Sequence, residues 1–431
     1  MKIDKSLCLL YNYFNYSDYK NREYYDLIRY VLDQKIYHYG NNFKHPHERH
    51  VFGYENVKII ILRKGYDLFV KVNSIFSKKS EKIKIWSSAY FDLPEKINNE
   101  TYYISRPPWN YSKKKNDLYN YDLYKKVKKV QVKLDLGNVN ELIQQSFFEE
   151  IDSLKAYIKQ YVLNEDIKAV FLANDLGFFD KLIIQIFKEI NRPSFLLIHG
   201  LPGIYGSIDN NRTDYLVVWG EAIKQNYIDV GLNPNKIIVN GHPKYDIKTD
   251  RHLKFEFDDI LVLPKSMPGA PMGDQYALSD RGNCIYYMLS IQNVLKKFGV
   301  SKVRFRPHPS EDSKWYLKYL DNGFFIRDTD SLDISLKRSS LVIGPTSTVF
   351  LESLFYGTNY VVFEPRLENE NGLDNLPVIP PFNGNNQKVP SAKTDEELFV
   401  ILKNKQKVDL SILSEYIESS FNPDLVLEKI K

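Results

Sequence analysis

Residues 340–352 read SLVIGPTSTVFLE, and the order of residue types within them decides the fold. The apolar run ending at Ile343 has the length of a buried strand, and Gly344-Pro345 stops it. Thr346, Ser347 and Thr348 then stand where a helix N-terminus wants hydroxyls, ahead of an apolar stretch containing Glu352. A third apolar run, Tyr360 to Phe363, follows that helix. Strand, turn, helix and strand in this order make one parallel βαβ unit.

The same alternation extends in both directions. Upstream, strands are expected at Ile260–Leu263, Lys302–Arg306 and Phe324–Arg327, with helices at Cys284–Phe298 and Leu332–Lys337. Further upstream a second set appears: strands Ala169–Ala173, Ser194–Ile198, Tyr215–Trp219 and Ile237–Asn240, with helices Phe179–Ile190 and Glu221–Val230. A polar, charged run from Asp246 to Asp259 separates the two sets and reads as a hinge. The chain is therefore expected to be α/β, with two Rossmann-like doubly wound domains facing a cleft. Their expected bounds are 1–250 and 251–408, with helices in 409–431 packing back on the first domain.

The first 150 residues are less regular. Val57–Leu62 and Lys82–Trp86 read as strands, and the polar, aromatic stretch Asn98–Asp122 has no clear period. From Glu141 an amphipathic helix carries Leu142, Ile143, Phe147, Phe148, Ile151, Leu154, Ile158 and Val162 mostly at steps of three and four.

Composition narrows the function. At 431 residues and 43% hydrophobic, the chain is long enough for two cores. A net charge of +5 is too mild for a dedicated nucleic-acid binder, so no nucleic-acid partner is expected. Two cysteines, Cys8 and Cys284, support neither a disulfide framework nor a zinc site. Residues 1–14 lack the features of a signal peptide, and no stretch has the roughly 20 apolar residues of a membrane helix. The expected location is the cytoplasm. Lysines 113–115, 125, 126, 128, 129 and 133, interleaved with tyrosines, are read as an exposed face, with peripheral contact to an anionic membrane surface as the alternative.

The candidate site residues lie at expected carboxyl ends of strands, where open α/β sheets bind ligands. The turn Gly344–Thr348 is a phosphate seat: helix N–H groups, a dipole end and the hydroxyls of Thr346, Ser347 and Thr348 converge there. Glu352, one turn along, suits sugar or ribose hydroxyls. Arg306-Pro307-His308-Pro309 follows another strand, placing His308 to donate to a leaving phosphate and Arg306 to add positive charge. In the first half, Asn174-Asp175-Leu176-Gly177 and His199-Gly200-Leu201-Pro202-Gly203 follow strands on the opposite wall. Asp175 or His199 is the expected base for an acceptor hydroxyl, with Asp175 slightly favoured, while Gly200 and Gly203 allow close backbone approach. The plainer alternative for each is an N-cap, a turn Asp or a hydrogen-bonded core His. No dinucleotide glycine motif or Walker lysine occurs. Asp328-Thr329-Asp330 reads as a helix cap rather than a metal motif, so neither metal nor cofactor is expected.

Taken in order, the His-Gly strand end (Leu196–Gly200), Gly241-His242-Pro243-Lys244-Tyr245-Asp246, Arg306–Pro309 and the Gly344–Glu352 turn and helix resemble glycosyltransferases of the GT-B fold. The pattern is similar to bacterial sialyltransferases, polysialyltransferases and other capsule or lipooligosaccharide enzymes. That resemblance implies that His308, Pro309, Ser347 and Thr348 bind the phosphate of a CMP donor and that an acidic residue is the base. The chain departs from the family's acidic-acidic-glycine motif at Asn174–Gly177. A second likeness, to CDP-glycerol polymerases, implies His199 as base instead. The expected function is inverting, metal-independent transfer of a sugar from a nucleotide-sugar donor, leaning to a CMP-activated acidic sugar, to an oligosaccharide or glycolipid acceptor. A UDP-sugar or CDP-polyol donor, a sugar-nucleotide epimerase and a non-catalytic glycan-binding protein are the alternatives.

Overall fold

The computed structural model describes residues 21–40, 57–76, 82–90, 93, 95–97, 100–110, 119–206, 212–243, 245, 252–265, 281–308, 313–366, 373 and 377–430. Two parallel sheets carry it. In the first, β1 (Ile83–Ser87), β3 (Glu100–Ser105), β4 (Ile167–Leu172), β5 (Ser194–Leu197), β6 (Tyr215–Val218) and β7 (Ile237–Val239) are parallel, and β2 (Lys96–Ile97) pairs antiparallel with β3. Its order is β2-β3-β1-β4-β5-β6-β7.

The second sheet holds β8 (Ile260–Val262), β9 (Val303–Phe305), β10 (Phe325–Arg327), β11 (Leu341–Gly344), β12 (Asn359–Phe363) and β13 (Ser391–Ala392) in the order β10-β9-β8-β11-β12-β13, all parallel. Counted from β8, this is the dinucleotide-fold order 3-2-1-4-5-6, so the switch point falls between β8 and β11. In the first sheet it falls between β1 and β4. Strands covered by helices on both faces lose their polar–apolar alternation, which is why β11 and β12 are buried at every position.

Most expected strands and helices of both domains form within one or two residues of their bounds. The first 150 residues need correction. Val57–Leu62 is not a strand but the start of a helix, Val57–Phe76, because its β-branched run continues at helical spacing. The stretch Asn98–Asp122 contains β3, whose Tyr102 is buried beside β1. Of the lysine-rich segment, Lys113, Lys114 and Lys115 lie outside the described residues, and the remaining lysines fall on one helix, Tyr121–Leu136. It buries Leu123, Val127, Val130 and Leu134 at steps of four, three and four, and Asn120 caps it by accepting from the Leu123 N–H at 2.8 Å. Helices Asn21–Gly40 and Asp395–Lys403 were not anticipated.

The last helical turns cross back. The Glu418 N–H donates to the Trp219 carbonyl at 2.7 Å, and the Asn422 N–H to Asn240 Oδ1 at 2.7 Å. Val426 and Leu427 share a cluster with Ile85, Phe171 and Val217 of the first sheet. A Cβ at Gly220 would overlap the backbone of Glu415 and Tyr416, so only glycine admits this close approach.

Candidate functional site

The second domain's switch point is built around Gly344. A side chain there would overlap the Tyr360 hydroxyl, which donates to the Pro345 carbonyl at 2.6 Å and fixes the turn. Beneath the turn lies a buried ion pair. Glu364 follows β12 directly and is 2% exposed; one oxygen accepts from the Thr346 N–H at 2.6 Å and the other from Lys265 Nζ at 2.6 Å. Lys265 stands just past β8, and its carbonyl is held by the Tyr316 hydroxyl at 3.0 Å.

Above that floor the turn presents donors. The Thr346 hydroxyl is buried without a hydrogen-bond partner among the described residues. Ser347 Oγ accepts from the Val349 N–H at 3.2 Å, leaving its hydroxyl proton directed elsewhere. The helix itself, Val349–Phe355, spans seven residues, so local hydroxyl and N–H donors outweigh any long dipole.

His308 and Arg306 leave β9, on the far side of β8 from β11, and their strands are about 10 Å apart at the same sheet edge. Partial burial holds the His308 pKa below its ordinary value, so the imidazole is neutral at pH 7 and donates through one N–H. Arg306 does not offer a free charge. Its Nη1 donates to Asp328 Oδ2 at 2.8 Å and to the Asp330 carbonyl at 2.7 Å. Arg304 also binds Asp328, at 3.0 Å, so the Asp328–Asp330 segment is tied into a buried arginine network. Pro309, named with these residues in the sequence, lies outside the described residues.

Glu352 is turned toward Tyr245; residues 246–251 of the expected hinge lie outside the described residues. It accepts a short hydrogen bond from the Tyr245 hydroxyl, and Tyr245 is stacked between His242 and Phe355 at ring distances of 4.3 and 4.6 Å. Burial and this carboxylate push the Tyr245 phenol pKa upward.

Across the cleft, the first domain places the two expected bases very differently. Asp175 is 1% exposed and accepts from the Arg212 N–H at 3.1 Å, with the guanidinium 3.9 Å away. Burial raises its pKa to about 6, against the pull of Arg212. Asp180 nearby is raised to about 7 by burial and by the charge of Asp175. The expectation that Asp175 opens onto the cleft is thus corrected: its position after a strand led inward, because Arg212 and Lys181 make an interior site for it.

His199 is exposed at the end of β5. Its Nδ1 lies 3.1 Å from the Ala173 carbonyl. A carbonyl only accepts, so Nδ1 carries the proton and the Nε2 of the neutral ring presents a lone pair. The Tyr90 ring packs edge-on against it at 4.7 Å. Asn174 closes a turn by accepting from the Leu176 and Gly177 N–H groups at 3.3 and 3.4 Å.

The two walls touch beside the Gly344–Thr348 turn. The Leu201 N–H donates to Thr348 Oγ1 at 2.9 Å, and a Cβ on Gly200 would come within 2.6 Å of that oxygen. Nothing lies within 4 Å of a Cβ at Gly203. His199 therefore stands two residues before the backbone N–H that binds the Gly344–Thr348 turn. Tyr90, Lys265 and Glu364 were missed in the sequence. The last two carried a signal, a charged residue within two or three positions of the end of a buried apolar run.

Two doubly wound Rossmann-like domains with carboxyl strand ends meeting across a cleft define the GT-B architecture. No family model matches the sequence, and no curated protein matches it in sequence. Several solved structures are similar in fold. A UDP-GlcNAc 2-epimerase from Neisseria meningitidis bound to UDP-GlcNAc shares 12% identity over 81% of this chain and 98% of its own, with a TM-score of 0.42. The lipopolysaccharide outer core galactosyltransferase WaaB gives 11%, 81%, 99% and 0.43, and the wall teichoic acid polymerase TagF gives 11%, 87%, 95% and 0.40.

Proposed function

We propose that the chain is an inverting glycosyltransferase that needs no metal, with the nucleotide-sugar donor on the second domain and a glycan acceptor on the first. The observation that carries this reading is the Leu201–Thr348 contact, which sets an exposed His199, its Nδ1 fixed on Ala173, two residues from a turn whose Thr346 hydroxyl has no partner among the described residues. One side offers a lone pair and the other offers donors.

His199 Nε2 takes the proton from an acceptor hydroxyl as its oxygen bonds to the anomeric carbon. The bond from that carbon to the donor phosphate breaks, and the electron pair leaves on the phosphate oxygen. Donors from Thr346, Ser347, Thr348 and His308 stabilise the charge that develops there. Asp175, buried against Arg212, serves the first domain's structure rather than the proton transfer. Arg306 holds the His308 loop through Asp328. For the donor we favour a CMP-activated acidic sugar over UDP-hexose or CDP-polyol compounds, on the resemblance of the His308 and Ser347–Thr348 motifs.

A thermal-shift panel of CMP, UDP, CDP and GDP tests the donor class. A ligand at 100 times its Kd adds about 2.7 kcal/mol to the folded state. CMP should give the largest rise in Tm; a larger rise with UDP or GDP defeats the CMP assignment. Incubating the matching sugar nucleotide with and without glycan then separates transfer from epimerisation. A changed sugar nucleotide formed without any acceptor overturns the transferase reading.

A further inference from the structure

The helix Val57–Phe76 has one face along which its described apolar side chains are exposed. Ile61 is 63% exposed, Leu68 63%, Val72 44%, Ile75 73% and Phe76 73%. At 3.6 residues per turn these five side chains fall within an arc of about 100°. The opposite face packs normally. Val70 is buried, Tyr66 meets the Tyr124 ring edge-on at 5.8 Å, and Asp67 accepts from the Tyr124 hydroxyl at 2.6 Å and from Lys128. The helix is thus anchored on Tyr121–Leu136 and turns its apolar stripe outward.

One margin of the stripe is basic. Lys64 and Lys71 are exposed beside it, and Lys71 Nζ and Lys125 Nζ lie 5.9 and 4.9 Å from the Tyr121 ring. Lys125 and Lys129 lie along the neighbouring helix with side chains 55% and 67% exposed, in surface pairs with Asp122 at 3.1 Å and Glu150 at 3.4 Å. On that helix Val132 and Leu136 are also exposed, at 39% and 54%. Soluble proteins seldom leave five large apolar side chains contiguous on one helix face unless something covers them.

We propose that this face is an interfacial membrane contact: the stripe Ile61, Leu68, Val72, Ile75 and Phe76 lies in the headgroup boundary of an anionic bilayer, with Lys64, Lys71, Lys125 and Lys129 on the phosphates. Charge decides the occupant. A second copy packed antiparallel through a twofold would bring the same lysines together, whereas an anionic surface neutralises them. A helix that lies in the interface also needs no spanning length, and no described helix is long and apolar enough to cross a membrane. The lysine-rich helix alone does not make this surface, because Lys128 and Lys133 are held by Asp67 and Glu150, while the more exposed Lys125 and Lys129 only share surface carboxylates.

The test is co-sedimentation of the full chain with vesicles of phosphatidylcholine, alone or mixed equally with phosphatidylglycerol. Binding is expected on the mixed vesicles, weakening as salt is raised. Leu68→Gln with Ile75→Gln should lower that binding by about tenfold or more, with an unchanged circular dichroism spectrum. Lys64→Glu with Lys71→Glu should remove the preference for phosphatidylglycerol. Failure to sediment with the mixed vesicles overturns the proposal, as does equal binding by all variants. So does a dimer seen by light scattering that the Leu68/Ile75 variant abolishes.

Discussion

The two switch points are built with opposite polarity. In the second domain the buried floor is the Lys265–Glu364 pair, and the turn above it offers donors: the buried Thr346 hydroxyl and the partly exposed Ser347 and Thr348. In the first domain the floor holds Asp175 and Asp180, whose carboxyl pKa values burial raises to about 6 and about 7, and the surface offers the His199 lone pair. One fold thus makes an anion seat or a proton acceptor, according to which polar groups are satisfied below the strand ends and which are left above.

The sharpest way to break this division is His199→Ala. Turnover should fall by about 10²- to 10⁴-fold while nucleotide binding, read by thermal shift, stays unchanged. Loss of nucleotide binding instead would place His199 on the donor side and erase the contrast. The next effect is structural. Glu364→Ala leaves Lys265 charged and buried without its partner, a change that costs about 3–5 kcal/mol and should show as a large drop in Tm. Lys265→Met combined with Glu364→Gln should recover most of it, since the amide still accepts from the Thr346 N–H; no recovery means the pair is not the turn's floor.

The smallest effect concerns pH. Asp175 and Asp180 keep protons in the folded chain at pH values where the unfolded chain, with an ordinary carboxyl pKa of 3.8, has lost them. Their contribution to stability is therefore greatest at low pH, declines as pH rises from near 4 to about 7, and is level above that. Asp180→Asn removes one such group while keeping an acceptor for the Gly177 N–H. It should flatten the decline and raise Tm at pH 8 by about 2–4 °C for each 1 kcal/mol regained. A steeper decline in the variant contradicts the assignment.

The parallel core was legible because strands buried on both faces are short apolar runs with turn residues after them, as at Val303–Phe305 and Leu341–Gly344. Helix Val57–Phe76 was not, because its outward stripe is apolar and hides the usual polar face. The positions of Thr346, His199 and His308 at strand ends followed from the alternation. Their chemistry did not: the sequence cannot show that Tyr245 takes Glu352, that Asp328 takes Arg306, or that Asp175 faces Arg212 rather than the cleft. Each depends on a partner 22 to 107 residues away in the chain.

The return of residues 412–430 to the first sheet means that two stretches of backbone, not one, run between the halves: one between Val239 and Ile260, the other after Lys403. A doubled connection keeps the two strand-end walls in register even if one linker is cut, so the Leu201–Thr348 contact does not depend on either crossing alone.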